Sequence, residues 1–324
     1  MIQINHAKAD PLDRANSRFI TAILPDYLRK AAGLQYRNSD TLADLKYTDL
    51  ETLAREIDPE HRSVNSSSFA GAMSSALTEI IGDTWKDLET RLNPFTRIHE
   101  VENFNQSVIT QIEMPELAET VEEGSISFDP IRLVSEATAQ LKSFETHIKV
   151  SNVVWQSFGA EFTQSAIGYS RVFANLEMKL LAELLTANAN LSDGEPLFNA
   201  SNTSSSAFDV GALDAALGWL TDGGLTVSGL LLASGKEASA RTVLNDAAMT
   251  IPVVACNSLP AGSWFLFADP TEKASILRLR EKNGNQRPRM GWVNLPGKMQ
   301  KGYFVNHVCG FSAVSRDGVF RGGV

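Results

Sequence analysis

A long amphipathic segment in the middle of the chain constrains the fold more than any other feature. It runs from about Phe162 to Ala189, and its apolar residues recur every three or four positions. One stripe holds Phe173, Leu176, Leu180 and Leu184, flanked by Met178, Leu181 and Leu185; Glu177, Lys179 and Glu183 fall among the remaining positions. This period predicts an α-helix that buries the stripe. At 1.5 Å per residue it would be roughly 40 Å long, a spine for the fold.

Further helices and strands are predicted on both sides of this spine helix. A helix from about Phe69 to Leu92 ends at Asn93-Pro94, and Asp209 introduces another. The predicted short helices are Val210–Leu220 and Lys236–Ala248, and the predicted strands are Leu230–Ala233, Ile251–Ala255, Trp264–Phe267, Ile276–Leu279 and Tyr303–Val314. Asn283-Gly284-Asn285 predicts a hairpin turn. This mixture favours an α+β fold.

The stretch from Ile98 to Trp155 has a β texture and predicts a long hairpin. Val108, Ile112 and Met114 alternate with polar residues, and so do residues from Phe144 to Val150. Between them lies the acidic, turn-rich segment Pro115–Gly124, which we expect to form the tip. Its carboxylates are Glu116, Glu119, Glu122 and Glu123. A hairpin with few core residues is marginal alone, so we expect it to lie on a partner surface.

Composition narrows the function. The formal net charge of −9 and the pI near 5.2 argue against long-range attraction to DNA or to a membrane surface. Two cysteines without a CxxC spacing favour a reducing compartment. The N-terminus has no apolar signal region, and no apolar run is long enough for a membrane span. We expect a chain that stays in the cytoplasm where it is made.

No constellation typical of an active site stands out. Cys309 has His307 two residues away, but alternate residues of a strand do not face each other as a nucleophile and base must. The five histidines lack metal-ligand spacing, Glu122-Glu123 lie in a solvated turn, and neither Asp222-Gly223-Gly224 nor Ser234-Gly235-Lys236 matches a phosphate-binding loop. We therefore predict no catalytic, metal-binding or cofactor-binding residues.

A basic cluster is the one strong charge feature near the C-terminus. It consists of Arg278, Arg280, Lys282, Arg287 and Arg289 on a predicted strand pair. Interleaved exposed aromatic residues, typical of nucleic-acid binding, are lacking. We predict that Arg278, Arg280, Arg287 and Arg289 contact a neighbouring subunit, with the four glutamates of the acidic tip as their counterpart.

Several stretches, in this order and spacing, resemble the capsid part of phage proteins in which a prohead protease is fused to a major capsid protein. They are Leu181–Asn188, Leu191-Ser-Asp-Gly194, Pro196-Leu-Phe198, Ser263–Pro270, Val308–Gly318 and Gly322-Gly323, together with the acidic Val121–Gly124. The resemblance covers roughly residues 70 to 324. The protease part is absent, so any protease would be a separate product. Gln156–Tyr169 also lacks the paired aspartates expected there.

The resemblance implies a Hong Kong 97-type capsid fold. Mapped onto this sequence, it places an N-terminal arm at 1–68 and an extended loop at 108–148. A peripheral domain with the spine helix would combine 69–107, 149–200 and 270–300, and an axial domain would combine 201–269 and 301–324. Residues 1 to about 66 carry apolar stripes without a core of their own, so we expect them to pack on another surface, such as a neighbouring chain.

The function implied is that of a phage major capsid protein. Such chains would form pentamers and hexamers of an icosahedral head around double-stranded DNA, without sequence-specific contacts, assembled in the host cytoplasm together with a portal and a decoration protein. Two alternatives stay open at this point. One is an encapsulin-like compartment shell, and a remote one is a hydrolase using Cys309 and His307.

Overall fold

A computed structural model describes residues 66–102, 104, 107–113, 132–151, 159–282, 287–294 and 300–323. The chain divides into two compact units. The first contains Met1–Leu88, Ser143–Ala174 and Arg287–His307, and the second contains Glu89–Lys142, Asn175–Gln286 and Val308–Val324. The predicted arm, apart from its last three residues, lies outside the described residues. The assignment of arm, loop, peripheral and axial domains stays a prediction.

The predicted helices are confirmed, with ends that differ by a few residues. They are α1 (Ser66–Glu89), α2 (Gly159–Ala187), which is the spine helix, α3 (Val210–Asp222) and α4 (Glu237–Asp246). A 3₁₀ turn, Thr90–Leu92, follows α1. Asp209 caps α3, because its side chain accepts a hydrogen bond from the Ala212 amide at 2.8 Å. None of the described helices is long and apolar enough to cross a membrane.

The described strands make the fold α+β, as predicted. They are β1 (Arg97–Val101), β2 (Ser107–Glu113), β3 (Arg132–Ala139), β4 (Lys142–Ser151), β5 (Thr203–Ser204), β6 (Val227–Ala233), β7 (Val253–Cys256), β8 (Trp264–Ala268), β9 (Ile276–Glu281), β10 (Arg289–Asn294), β11 (Gln300–Ala313) and β12 (Val319–Gly322). All five strands predicted with bounds after the spine helix are present, and β10 lies where the predicted strand pair places Arg289; β5 and β12 were not predicted.

Two strand pairings differ from the prediction. The hairpin returns through β3, which pairs antiparallel with β2, whereas the segment from Phe144 to Val150 lies in β4 and pairs with β11. The predicted hairpin turn at 283–285 lies outside the described residues. The strands on either side of it, β9 and β10, both pair with β11 and not with each other. The alternation of apolar and polar residues predicted where these strands lie but not which strands pair with each other.

In the first unit, α1 packs against the beginning of α2 and against β10. The Ser170 hydroxyl donates to the Ile81 carbonyl at 3.1 Å, and the Thr78 hydroxyl accepts from the Met290 amide at 2.9 Å. The apolar face of α1 is buried, as its period predicted. Its buried residues include Leu77, Ile80, Ile81 and Trp85.

In the second unit, one sheet has cores on both faces. Its strand order is β5-β12-β8-β6-β7, and every residue of β8 is buried. Phe265 and Phe267 join the core beneath the C-terminal part of α2, while Trp264 and Leu266 join the core beneath α3 and α4. This division follows from the alternation of side chains along a strand. The burial of both faces explains why β8 is an uninterrupted apolar run.

Strand β9 belongs to another sheet of the second unit, between β1, which is parallel to it, and the end of β11, which is antiparallel. Leu277 and Leu279 join a core cluster with Val101 and Val308. Arg278 and Arg280 alternate with these leucines and so lie on the opposite face. That face carries the largest group of buried charges among the described residues.

Candidate functional site

The most buried face of the spine helix is shifted from the predicted stripe, with which it shares Phe173. Its most buried positions in the second unit are Glu177, Leu181, Ala182 and Leu185, each 0% exposed. Leu176, Leu180 and Leu184 of the predicted stripe are only partly buried. The prediction placed Glu177 outside the buried stripe. A carboxylate in a core is unfavourable without a partner. Here the partner exists, on a strand about a hundred residues further along the chain.

Glu177 forms an ion pair with Arg280. One terminal guanidinium nitrogen, Nη2, lies 2.9 Å from Oε1 and 3.0 Å from Oε2 of the carboxylate. Arg280 is 1% exposed and Arg278, two residues earlier on the same face of β9, is 0% exposed. A charged hydrogen bond in such surroundings is short and strong, because water does not compete for it.

Glu89, which is partly buried, and Asn93, which is exposed, complete this group. We call Glu89, Asn93, Glu177, Arg278 and Arg280 the buried charge network, after its three buried members, Glu177, Arg278 and Arg280. The Glu89 carboxylate lies 3.1 Å from Nη2 of Arg280 and 3.4 Å from Nη2 of Arg278. Arg278 also donates to Asn93 Oδ1 at 2.9 Å and to the Glu89 carbonyl at 3.3 Å. Two guanidiniums thus face two carboxylates, and the network connects the end of α1, strand β9 and the spine helix.

The two arginines respond differently to this environment. Burial is the main cause that lowers the pKa of Arg278, with a further contribution from the neighbouring Arg280. Burial also acts to lower the pKa of Arg280, but Glu177 and Glu89 outweigh it, so that this pKa is raised. Because arginine is not deprotonated in proteins, both side chains carry a charge at neutral pH.

Arg278 and Arg280 correct the subunit-contact prediction. Both are inaccessible within a single chain and are paired with its own carboxylates, so they are not available to a neighbour. The prediction for these two residues was wrong because it assumed that arginines on a strand are solvated, whereas β9 is buried on both faces. Arg287 and Arg289 are exposed, and their role in a subunit contact stays a prediction. Glu116, Glu119, Glu122 and Glu123 lie outside the described residues.

Cys309 does not have the properties of a catalytic nucleophile. It is fully buried, and burial, followed by the charge of Glu177, raises the pKa of its thiol to about 12. The reactive thiolate is therefore a very small fraction of the population at neutral pH. His307, expected to be partly buried, is 1% exposed, and its ring packs against Trp85 and Phe173 with centroids 5.2 and 5.4 Å away.

Several of the stretches that carry the sequence resemblance come together at the end of the spine helix, while Val121–Gly124 lies outside the described residues. Asn188 adopts a left-handed conformation with φ 47° and ends the helix. Its side chain donates to the Phe198 carbonyl at 3.0 Å and accepts from the Phe198 amide at 2.6 Å. Asp193 forms an ion pair with Arg316 near the C-terminus, with Oδ2 2.7 Å from Nη1. The separate motifs are thus parts of one junction.

A profile of the phage capsid protein family matches residues 150–321, which is more than half of the 324-residue chain. The chain belongs to this family. The match begins near the end of β4 and includes the spine helix, the sheet around β8, β9 with its two arginines, and the Asp193–Arg316 junction. The sequence-based prediction of a phage capsid protein is confirmed, although a link to a protease fusion is not. Among curated protein sequences no relative is found.

Solved structures with a likeness to this capsid protein include several assembled particles. The holo-SrpI encapsulin complex from Synechococcus elongatus PCC 7942 has 12% identity and a TM-score of 0.48, with 75% of this chain and 88% of that chain covered. A virus-like particle from Pyrococcus furiosus has 11% identity and a TM-score of 0.48, covering 75% and 98%. The capsid of cyanophage P-SCSP1u has 10% identity and a TM-score of 0.47, covering 71% and 86%. The encapsulin and the cyanophage capsid have similar sequence identities and TM-scores to this chain.

Proposed function

We propose that this protein is the major capsid protein of a bacteriophage and assembles, as pentamers and hexamers, into an icosahedral head of the Hong Kong 97 type around double-stranded DNA. The observation that carries the proposal is the family match over residues 150–321. A virion location, assembly in the host cytoplasm, and association with a portal and a decoration protein are parts of the same proposal.

The architecture supports a structural role. In its largest charge cluster among the described residues, Glu177, Arg278 and Arg280 are closed off from solvent, and the buried Cys309 is held as a thiol. A group that does not meet solvent does not meet a substrate. These features favour a framework that keeps its shape while its surfaces contact other subunits, over a catalytic site.

Contacts between subunits are proposed to use the hairpin that begins with β2 and ends with β3. The strands pair from Ser107 opposite Ala139 to Glu113 opposite Arg132. A two-stranded pair gains stability from a surface to lie on. Its acidic tip, Glu116 to Glu123, would meet Arg287 and Arg289 of a neighbouring chain, since those two arginines are exposed. Electrostatic complementarity would then fix which surfaces meet.

Expression of the full chain, followed by electron microscopy and mass measurement, tests the proposal. We expect closed particles of icosahedral symmetry, with five-fold and six-fold capsomers in the reconstruction. Particles of any other symmetry, or a chain that stays monomeric when expressed with the other head proteins of its phage, would contradict it.

The contents of particles purified from infected cells separate a phage head from an encapsulin-like shell. A phage head is expected to protect genome-length DNA from nuclease, and peptides of this chain should dominate the protein of the virion. A shell that instead contains one abundant co-purifying enzyme and no DNA would favour the encapsulin alternative. A panel of ester substrates, compared between the natural chain and C309A, tests the hydrolase alternative, for which we expect no difference.

A further inference from the structure

The sequence contains three Asp-Gly bonds, Asp193-Gly194, Asp222-Gly223 and Asp317-Gly318, and all three lie in the second unit. An Asp-Gly bond can rearrange without an enzyme, because glycine has no side chain to shield its amide nitrogen. The nitrogen attacks the protonated side-chain carboxyl of the aspartate, the amide proton and the carboxyl OH leave as water, and a succinimide ring forms. Water then opens the ring, which either restores aspartate or gives isoaspartate, whose main chain runs through the side-chain carboxyl carbon.

The fold engages both reacting groups of Asp193-Gly194. Arg316 holds the Asp193 carboxylate at 2.7 and 2.9 Å, and the Glu195 amide donates to Oδ1 at 3.0 Å. The hydrogen bond from Arg316 is the main cause that lowers the pKa of Asp193, and an ionised carboxylate resists nucleophilic attack. The Gly194 amide donates to the Leu191 carbonyl at 3.0 Å. Ring formation at this bond would require the loss of all these contacts.

The fold also encloses Asp317-Gly318. The Gly318 amide donates to the buried hydroxyl of Ser275 at 2.9 Å. A Cβ on Gly318 would lie 2.7 Å from the Lys273 carbonyl oxygen, so the main chain has no room to turn. The Asp317 carboxylate lies 3.2 Å from Nζ of Lys273 and accepts a hydrogen bond from the Ser315 hydroxyl at 3.0 Å. The nucleophile and the carboxyl group are therefore both held by other partners.

Asp222-Gly223 has none of this protection. Asp222 is the last residue of α3 and is exposed, as are Gly223 and Gly224 after it. Among the described residues, none forms a hydrogen bond or an ion pair with the Asp222 carboxylate. The Gly223 amide donates within the same exposed turn, to the Thr221 carbonyl. Both reacting groups thus meet solvent and are not held by side chains.

The rearrangement at this bond requires the last turn of α3 to open, because a helical conformation keeps the next amide nitrogen away from the side-chain carboxyl. Helix ends fray, and such local opening has a low free energy compared with the opening of a core. The bonds that close the turn are between backbone groups, from the Gly224 amide to the Thr221 carbonyl at 2.9 Å and from the Leu225 amide to the Leu220 carbonyl at 3.0 Å. In contrast to the two other sites, opening breaks no ion pair of the reacting aspartate.

We propose that Asp222 is a site of spontaneous isoaspartate formation, and that the fold selects Asp222-Gly223 for this modification over the two other Asp-Gly bonds. The modification adds one carbon to the main chain at the end of α3, so the two backbone hydrogen bonds of the turn no longer fit. The inference goes beyond the proposed function, because it concerns the single folded chain and is tested without any shell.

The test compares the folded full chain with the same chain unfolded in guanidinium chloride, both kept at pH 6 and 37 °C. Digestion with trypsin and chymotrypsin places the three Asp-Gly bonds in separate peptides, and chromatography with mass spectrometry measures the isoaspartate fraction of each. In the folded chain we expect isoaspartate to form at Asp222 at least about tenfold faster than at Asp193 or Asp317. In the unfolded chain the three rates should agree within about threefold, because the fold no longer distinguishes the bonds.

Two results would overturn the proposal. One is a rate at Asp222 in the folded chain that does not exceed the rates at the other two sites. The other is a lack of isoaspartate at Asp222 in the folded chain while the unfolded chain forms it, because the helix end would then be protective. Asn283-Gly284, which lies outside the described residues, also gives isoaspartate by loss of ammonia, but it falls in a different peptide.

Two variants serve as controls. Asp222→Glu keeps the charge, but its side chain would have to close a larger and less favourable ring, so the isoaspartate signal of this peptide should disappear. R316Q releases the Asp193 carboxylate and should raise the rate at Asp193, in a chain whose circular dichroism matches that of the natural one. An unchanged rate at Asp193 in folded R316Q would count against the proposal, because the ion pair would then not explain the selection.

Discussion

The Arg316 guanidinium holds the Asp193 carboxylate in a two-point ion pair. Nη2 donates to Oδ1 at 2.9 Å, and Nη1 lies 2.7 Å from Oδ2. Asp193 lies in the loop that follows the spine helix, and Arg316 lies in the turn before the last strand, β12. Residues 123 positions apart in the sequence thereby fix the end of the helix to the C-terminal turn.

This ion pair should contribute measurably to stability. Because the pair has two-point geometry and Arg316 is partly buried, we expect it to contribute about 1 kcal/mol to the free energy of unfolding. An exposed helical pair typically contributes only a few tenths. A double-mutant cycle of D193N and R316Q, followed by urea unfolding, measures the coupling. The cycle of K179Q and E183Q, whose natural side chains form an exposed pair at 3.6 Å, is the control. Equal coupling energies in both cycles would count against the prediction.

The same pair predicts a dependence of stability on acid. The hydrogen bond from Arg316 is the main cause that lowers the pKa of Asp193 below its ordinary value of 3.8. A carboxylate whose pKa is lower in the folded state stabilises that state above the unfolded pKa, and the contribution is lost as the pH falls through the folded pKa. The difference in unfolding free energy between the natural chain and D193N should be constant from pH 7 to about pH 5 and should shrink as the pH falls below the ordinary value of 3.8. A difference that does not change as the pH is lowered through this range would mean that the charge is not responsible.

Sequence periodicity was sufficient to predict the helices and most strands, because each depends on local alternation of apolar and polar residues. Asp209 is an example: its position before an apolar run predicted the start of α3, and its side chain does cap that helix. The family resemblance added what periodicity lacked, the order of these elements in a known class of protein. Its motifs mark residues that meet at the end of the spine helix.

The buried charge network could not be predicted in the same way. Glu177 and Arg280 look like solvated residues when each is seen in its own segment, because the burial of one depends on the presence of the other. Only their contact, across 103 positions of sequence, makes both acceptable in a core. The signals available were the buried-strand pattern around Arg278 and Arg280 and the single acidic residue within the apolar arc of α2.

Removing the charge of one partner in the Glu177–Arg280 ion pair should lower the free energy of unfolding far more than replacing both partners by apolar residues. Glu177→Gln leaves Arg280 buried with half of its charge compensation, and we expect a loss of about 3–5 kcal/mol in unfolding free energy. Replacement of both partners by apolar residues of similar size, Glu177→Leu/Arg280→Met, should change it by less than about 2 kcal/mol. Urea unfolding of the three chains under one condition gives the comparison. A double variant that is less stable than the single one would contradict this account.

Two glycines give a matched test of close packing. Gly322 of β12 lies opposite Trp264 of β8, and a Cβ placed there would overlap the indole ring. Gly218 lies within α3 with nothing within 4 Å of such a Cβ. We expect Gly322→Ala to lower the thermal midpoint, at a cost of about 1–3 kcal/mol or more. Gly218→Ala should raise the midpoint slightly, by the helix propensity of alanine, roughly 0.5–1 kcal/mol. If Gly322→Ala and Gly218→Ala shift the thermal midpoint similarly, the Trp264 indole ring moves away from the added Cβ without a measurable cost.

Charge reversal tests the proposed contact between the acidic tip and the exposed arginines of the next subunit. R287E/R289E places like charges opposite Glu122 and Glu123, so closed particles should become rare while the subunit stays folded, since both arginines are exposed. E122K/E123K alone should have the same effect, and the two reversals together should restore particles because the charges are again complementary. Particle yield is measured by gradient sedimentation and electron microscopy at low and at 1 M salt.

The control variant R278E/R280E reverses buried charges. It should unfold the subunit, and E122K/E123K should not rescue it. Failure of the combined reversal to recover particles would indicate that Arg287 and Arg289 meet a different surface.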